Sequence, residues 1–172
     1  MLTSVPQWVA IYTNPRAEKR VCQRIQDSGI ESFLPLKIEK RHWSDRIKVV
    51  EEPLFRSYLF AKITKYQLTS VKETDGVAYI IAFKGNIATV PEEQIEAVRK
   101  AVEVSERIYV HQTSLLRKGV KVIVQEGPFA QMQGTIISNC HDGNFAIHID
   151  ALSLSLVTEI DKNLLTPVEK LL

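Results

Sequence analysis

The chain has 172 residues, 45% of them hydrophobic and 24% charged, with a net charge of +2. These proportions are ordinary for a soluble globular protein, and the length allows one domain or two small ones. No apolar run is long enough to cross a bilayer, which excludes a helical membrane protein.

Met1-Leu2-Thr3-Ser4-Val5-Pro6 lacks a basic stretch followed by an apolar core, so no signal peptide is expected and the protein is placed in the cytoplasm. Its two cysteines, Cys22 and Cys140, have no metal-ligand spacing and read as free thiols. Residues 1–50 hold nine Lys/Arg against five Asp/Glu, whereas residues 101–172 hold six against eight. The N-terminal part therefore leans toward a polyanion.

Trp8 to Thr13 reads as a first strand. Asn14-Pro15 predicts a helix start, since Asn caps well and Pro suits the first helical position. Gly29 is the stop. Between them Ala17, Val21 and Ile25 recur every four residues as a core-facing stripe. Arg16, Arg20 and Arg24 recur at the same spacing, with Lys19 and Gln23 beside them. This basic face is either a solvated helix surface or a nucleic-acid contact.

Ile30 to Arg41 reads as a strand interrupted at Pro35, and Ile47 to Val50 as its hairpin partner. Lys40, Arg41, His42, Trp43 and Arg46 form a polar tip, open to nucleic acid or simply to solvent.

The run Glu52 to Ile63 organises the chain. Leu59 to Ile63 has the branched and aromatic residues of a buried strand, and Phe55 and Tyr58 precede it. Tyr58 and Phe60 share parity and so project on one face. They are either core aromatics or the lining of a groove for a partner helix, and the pattern alone does not separate these.

Tyr66 to Glu73 reads as a short helix, Asp75-Gly76 as a turn, and Val77 to Phe83 as another buried strand. Pro91 opens a helix with Glu92, Glu93 and Glu96 in its early turns and Ile95, Val98 and Val102 facing inward. Residues 105–116 lack a clear period and read as linker. Val120 to Val124, Gly134 to Ile137, Phe145 to Ile149 and Leu152 to Val157 then read as short strands, with turns at Gly127-Pro128 and Asp142-Gly143. The first part implies an α+β sandwich with helices on one face of a mostly antiparallel sheet, and the last a small β-barrel. No P-loop, dinucleotide fingerprint, paired metal ligands or nucleophile motif is found, so no catalytic residue, cofactor or metal is assigned.

In order and spacing, these residues resemble the NusG family of transcription factors, an NGN domain followed by a KOW domain. The resemblance rests on Trp8 to Arg20, Phe33-Leu34-Pro35, Glu52-Pro53-Leu54-Phe55 with Tyr58-Leu59-Phe60, Gly76-Val77 and Val90-Pro91. The KOW motif is carried by Gly119-Val120-Lys121-Val122, Glu126-Gly127-Pro128-Phe129 and Gly134. The resemblance implies a ferredoxin-like NGN sandwich over residues 1–104, a linker over 105–116 and a small SH3-like KOW barrel over 117–172.

It further implies that Phe55, Tyr58 and Phe60 contact the clamp helices of the largest RNA polymerase subunit. Arg20 and Arg24 fall on DNA-contact positions of the specialised member RfaH, and Arg16 and Lys19 extend that patch toward upstream or non-template DNA. Asn14, Asp27 and Asp75 stand where RfaH has basic residues. The KOW barrel would recruit the termination factor Rho or a ribosomal protein. Phe55-Arg56-Ser57-Tyr58 replaces the usual Phe-Pro-Gly-Tyr, and Ala130 to Gln133 departs from the usual KOW sequence. Both departures resemble RfaH-like paralogues, including antiterminators of surface-polysaccharide operons, rather than a housekeeping elongation factor. The alternative from a different class is a ribosome-associated KOW protein that binds RNA.

Overall fold

Branched and aromatic residues from Gln7 to Thr13 form β1, the strand on which the first half of the protein is built. The computed structural model describes residues 2–42, 47–104, 108–112, 119–136 and 144–168. Contacts within the chain divide it into two units, Met1–Val90 and Pro91–Leu172.

In the first unit β1 is followed by α1 (Glu18–Asp27), β2 (Ser32–Phe33), the hairpin of β3 (Leu36–His42) and β4 (Ile47–Pro53), β5 (Tyr58–Ile63), α2 (Leu68–Lys72), β6 (Val77–Ile80), a small hairpin of β7 (Ala82–Phe83) and β8 (Asn86–Ile87), and β9 (Thr89–Val90). The main sheet runs β2-β5-β1-β6, with β9 also pairing with β1. Its pairings are antiparallel. Val9, Ile11, Leu59, Ala61, Ile63 and Ile80 project from one face and share a core with Ala17, Val21 and Ile25 of the α1 segment and Val71 of α2. The period-four stripe of α1 thus points where its spacing predicted.

Three local expectations are corrected. The first helix starts at Glu18, not at Asn14-Pro15. Arg16 has φ 63°, outside the helical region, and the Asn14 N–H donates to the Gly76 carbonyl at 2.9 Å. The left-handed backbone at Arg16 thus interrupts the helical path between Asn14-Pro15 and Glu18. The helix does end at Gly29 (φ 75°), with Gly29 N–H bonded to the Gln26 carbonyl and Ile30 N–H to the Ile25 carbonyl, which is a Schellman ending.

Second, Val77 to Phe83 is not one buried strand. It breaks at Ile81, and Ala78, Tyr79, Ala82 and Phe83 are exposed. In the sheet order β6 lies at the end, beside β1 alone, which leaves Ala78 and Tyr79 open to solvent. Third, the expected linker contains a strand, since Ile108–Gln112 pairs with Leu154–Thr158. Residues 105–107 and 113–116 of that linker lie outside the described residues, as do the Asp142-Gly143 turn, Cys140 and the side chains of the hairpin tip from Lys40 to Arg46.

The second unit holds α3 (Glu92–Val104), β10 (Ile108–Gln112), β11 (Lys121–Val124), β12 (Gln133–Ile136), β13 (Asn144–Ile149), β14 (Leu154–Glu159) and β15 (Leu165–Pro167). Its six strands are ordered β10-β14-β13-β12-β11-β15. Val122, Val124, Phe145, Ile147, Ile149 and Leu156 are buried. Two glycines permit close approach. A Cβ on Gly119 would sit 1.5 Å from the Ile136 carbonyl oxygen, and one on Gly134 would sit 2.3 Å from the Phe145 ring.

Candidate functional site

Strand alternation gives the first sheet a second face, opposite the α1 and α2 core, and that face is aromatic. Tyr58 on β5 lies directly across from Tyr12 on β1, and Tyr12 directly across from Tyr79 on β6. The rings follow this register. Tyr12 meets Tyr58 edge-on at 5.0 Å between centroids and stacks on Tyr79 at 4.9 Å. Both are favourable aromatic geometries. Tyr79, at the open end of this rung, is 52% exposed.

One step along the sheet, Phe33, Phe60 and Ala10 make the neighbouring row. Phe60 stacks on Phe33 at 6.3 Å and meets Phe55 edge-on at 6.0 Å. Phe55 and Phe60 are fully buried, whereas Tyr58 keeps partial access to solvent. Of the three aromatics singled out in the sequence, Tyr58 therefore presents surface, and Phe55 and Phe60 do not. Sequence reasoning missed Tyr12 and Tyr79. The parity of Tyr12 within β1 was available, but its match to Tyr58 depends on strand register. Burial pushes the Tyr58 phenol above its ordinary pKa, and the neighbouring Tyr79 and Tyr12 phenols act in the same direction.

The basic residues of the α1 region are all exposed. Arg16 lies in the turn before the helix, and Lys19, Arg20 and Arg24 lie on it. They are not equivalent. Lys19 Nζ is 3.3 Å from Glu51 Oε2 of β4. Arg24 Nη1 is 2.8 Å from Asp75 Oδ2 and also donates to the Asp75 carbonyl oxygen at 2.6 Å. Arg16 and Arg20 make no ion pair among the described residues. Among the described residues no cluster of three or more His, Cys, Asp or Glu side chains could hold a metal ion. No helix there is long and apolar enough to cross a membrane.

Residues 6–99 match the family model described as transcription termination factor NusG. The chain belongs to the NusG family. Its members act on transcription by binding RNA polymerase and are not enzymes. Among solved structures the chain is similar to NusG from Thermotoga maritima, described under "Domain interaction in Thermotoga maritima NusG". That match covers 95% of this chain and 97% of the other, at 15% identity and a TM-score of 0.50, and it speaks to the fold alone. No curated protein sequence matches.

Proposed function

We propose that this NusG-family chain is an elongation or antitermination factor that binds the clamp helices of the largest RNA polymerase subunit. Its contact surface is the tyrosine rung, with Tyr58 touching the partner and the buried Phe55 and Phe60 fixing the strand that carries it. The observation that carries this reading is the registered row Tyr58-Tyr12-Tyr79 on the sheet face away from α1 and α2. Rigid aromatic area loses little entropy on binding and often dominates interfaces.

In the same reading residues 1–104 form the NGN domain in a ferredoxin-like sandwich, and 117–172 a small SH3-like KOW barrel that takes Rho or a ribosomal protein. The 105–116 segment connects them. Arg16, Lys19, Arg20 and Arg24 face upstream or non-template DNA. The ion pairs of Lys19 and Arg24 are no obstacle, because exposed pairs contribute about 0–1 kcal/mol each and phosphate can replace the carboxylate. The protein works in the cytoplasm. Arg56-Ser57 in place of Pro-Gly favours a paralogue dedicated to one operon, such as a surface-polysaccharide operon.

The test measures stability and polymerase affinity on the same variants. Tyr58→Ala is expected to fold and to lose about thirtyfold in affinity, on the order of 2 kcal/mol. Phe60→Ala is expected to destabilise the domain by about 3–5 kcal/mol. A folded Tyr58→Ala protein with undiminished affinity would overturn the reading.

A further inference from the structure

Glu18 is a charged residue in the first turn of α1, yet only 7% of it is exposed. It makes no ion pair among the described residues. Its Oε1 accepts the backbone N–H of Ser57 at 2.8 Å. Burying a carboxylate is costly unless strong hydrogen bonds hold it, and a helix N-terminus offsets only part of that cost. The Ser57 bond is therefore a candidate reason for the residue.

Ser57 is where the backbone needs such help. Tyr58 N–H donates to the Phe55 carbonyl at 3.1 Å and closes a turn over Phe55-Arg56-Ser57-Tyr58. Ser57 has φ 62°, and Arg56 is not in the positive-φ region. A left-handed third residue after an ordinary second one is the pattern of a type II turn, which favours Pro and then Gly at those positions. Arg56 and Ser57 supply neither. The turn is also fixed to β1, because the Ser57 carbonyl accepts the Thr13 N–H at 2.8 Å. Thr13 follows Tyr12, and Tyr58 follows Ser57. The strained residue thus sits where the first two rings of the rung leave the backbone.

We infer that Glu18 is a positioning residue. Its carboxylate holds Ser57 in the left-handed conformation and thereby sets Tyr58 against Tyr12 and Tyr79. Its importance for function rests on the reading of the rung as the polymerase contact, so the test has one arm that needs no polymerase.

In that arm the tyrosine ionisation curve and the near-ultraviolet circular dichroism of the full chain are recorded for Glu18→Ala, Glu18→Gln and Glu18→Ala with Ser57→Gly. The Tyr58 phase is identified by its loss in Tyr58→Phe. Glu18→Ala is expected to move that phase toward the ordinary tyrosine range and to weaken the aromatic signal. Glu18→Gln keeps an acceptor oxygen and should retain both. Ser57→Gly removes the need for support and should restore them in the Glu18→Ala background. In the second arm Glu18→Ala should lose about tenfold in polymerase affinity, and the Ser57→Gly addition should recover it.

An unchanged Tyr58 phase in Glu18→Ala overturns the inference. If Glu18→Ala does not fold, failure of Ser57→Gly to rescue folding overturns it too, since Glu18 would then serve more than the turn. Normal polymerase binding by Tyr58→Ala would remove the functional reading and leave the ionisation arm to decide the inference.

Discussion

Arg24 and Asp75, fifty-one residues apart, are joined twice: the guanidinium lies 2.8 Å from the Asp75 carboxylate and donates at 2.6 Å to its backbone carbonyl. The contact ties the last turn of α1 to the loop that enters β6. It also places an acid against one of the cations proposed above to face DNA. Asp75→Asn keeps the carbonyl acceptor and removes the competing charge. Stability should stay within about 0.5 kcal/mol, as for exposed pairs generally. Affinity for a transcription complex should rise, with the salt slope steeper by about one unit. An unchanged slope, measured from 50 to 200 mM salt, would show that Arg24 does not reach phosphate.

The neighbouring glycine answers to a different constraint. Gly76 has φ 95°, and a Cβ there would lie 2.7 Å from Val21 Cγ2 and 3.4 Å from Ala17 Cβ. Gly76→Ala combines backbone strain with a clash against the buried stripe of α1, and should cost about 2 kcal/mol or more. Chemical denaturation checks this; a loss below about 0.5 kcal/mol would mean that α1 can shift to make room.

In the second unit a side chain rather than the backbone sets the nearest steric demand at Gly134. Phe145 occupies the space that a side chain at 134 would need. Gly134→Ala should destabilise this unit by about 1–3 kcal/mol, and Phe145→Leu should recover part of the loss in the double variant. Purely additive effects would contradict the packing.

The raised pKa of Tyr58 makes a signed prediction. The folded state holds this proton at a pH where the unfolded chain, with an ordinary tyrosine pKa of about 10, releases it. Its contribution to stability is therefore complete below about pH 10 and is lost as pH rises through the folded value. Absorbance at about 295 nm should show one tyrosine ionising later than the rest, and Tyr79→Phe, which removes one of the causes, should bring that phase earlier.

Strand β10 predicts where the second half can be cut. Val110 and Tyr109 pair with Leu156 and Val157 of β14. A fragment 117–172 lacks this strand and leaves that edge of β14 unpaired. A fragment 105–172 should be more stable by about 1 kcal/mol or more, as read by thermal melts of both. Equal melting temperatures would make β10 a passive appendage.

What the sequence revealed follows from range. Periodicity is local, so the α1 stripe and the β1, β5 and β11 strands were legible in place. The start of α1 was not, because the left-handed backbone at Arg16, which no local pattern announces, separates Asn14-Pro15 from the helix. Tyr79 read as core because an apolar run counts its own residues and not its missing sheet neighbours. β10 does not stand out in the sequence, because its partner lies about forty-five positions away. At the site, the parity of Tyr58 and Phe60 was readable, but their unequal burial was not. The pairing of Lys19 with Glu51 and Arg24 with Asp75 depends on loops closing over long separations, which no spacing rule reports.

The β3–β4 hairpin has a bearing on how the protein behaves outside its complex. These strands pair only with each other among the described residues, and Ile38, Ile47 and Val49 stand more than half exposed. Register puts these three on one side, with Glu51 among them, and Lys37, Glu39, Lys48 and Glu52 on the other. Such an arm keeps all its own ladder bonds while offering two open edges to any other extended chain. Its charged residues are then guards against self-association as much as contacts for a ligand. Neutralising Lys37 and Lys48 together would be felt first in the concentration at which the protein stays in solution, before any change in its melting temperature.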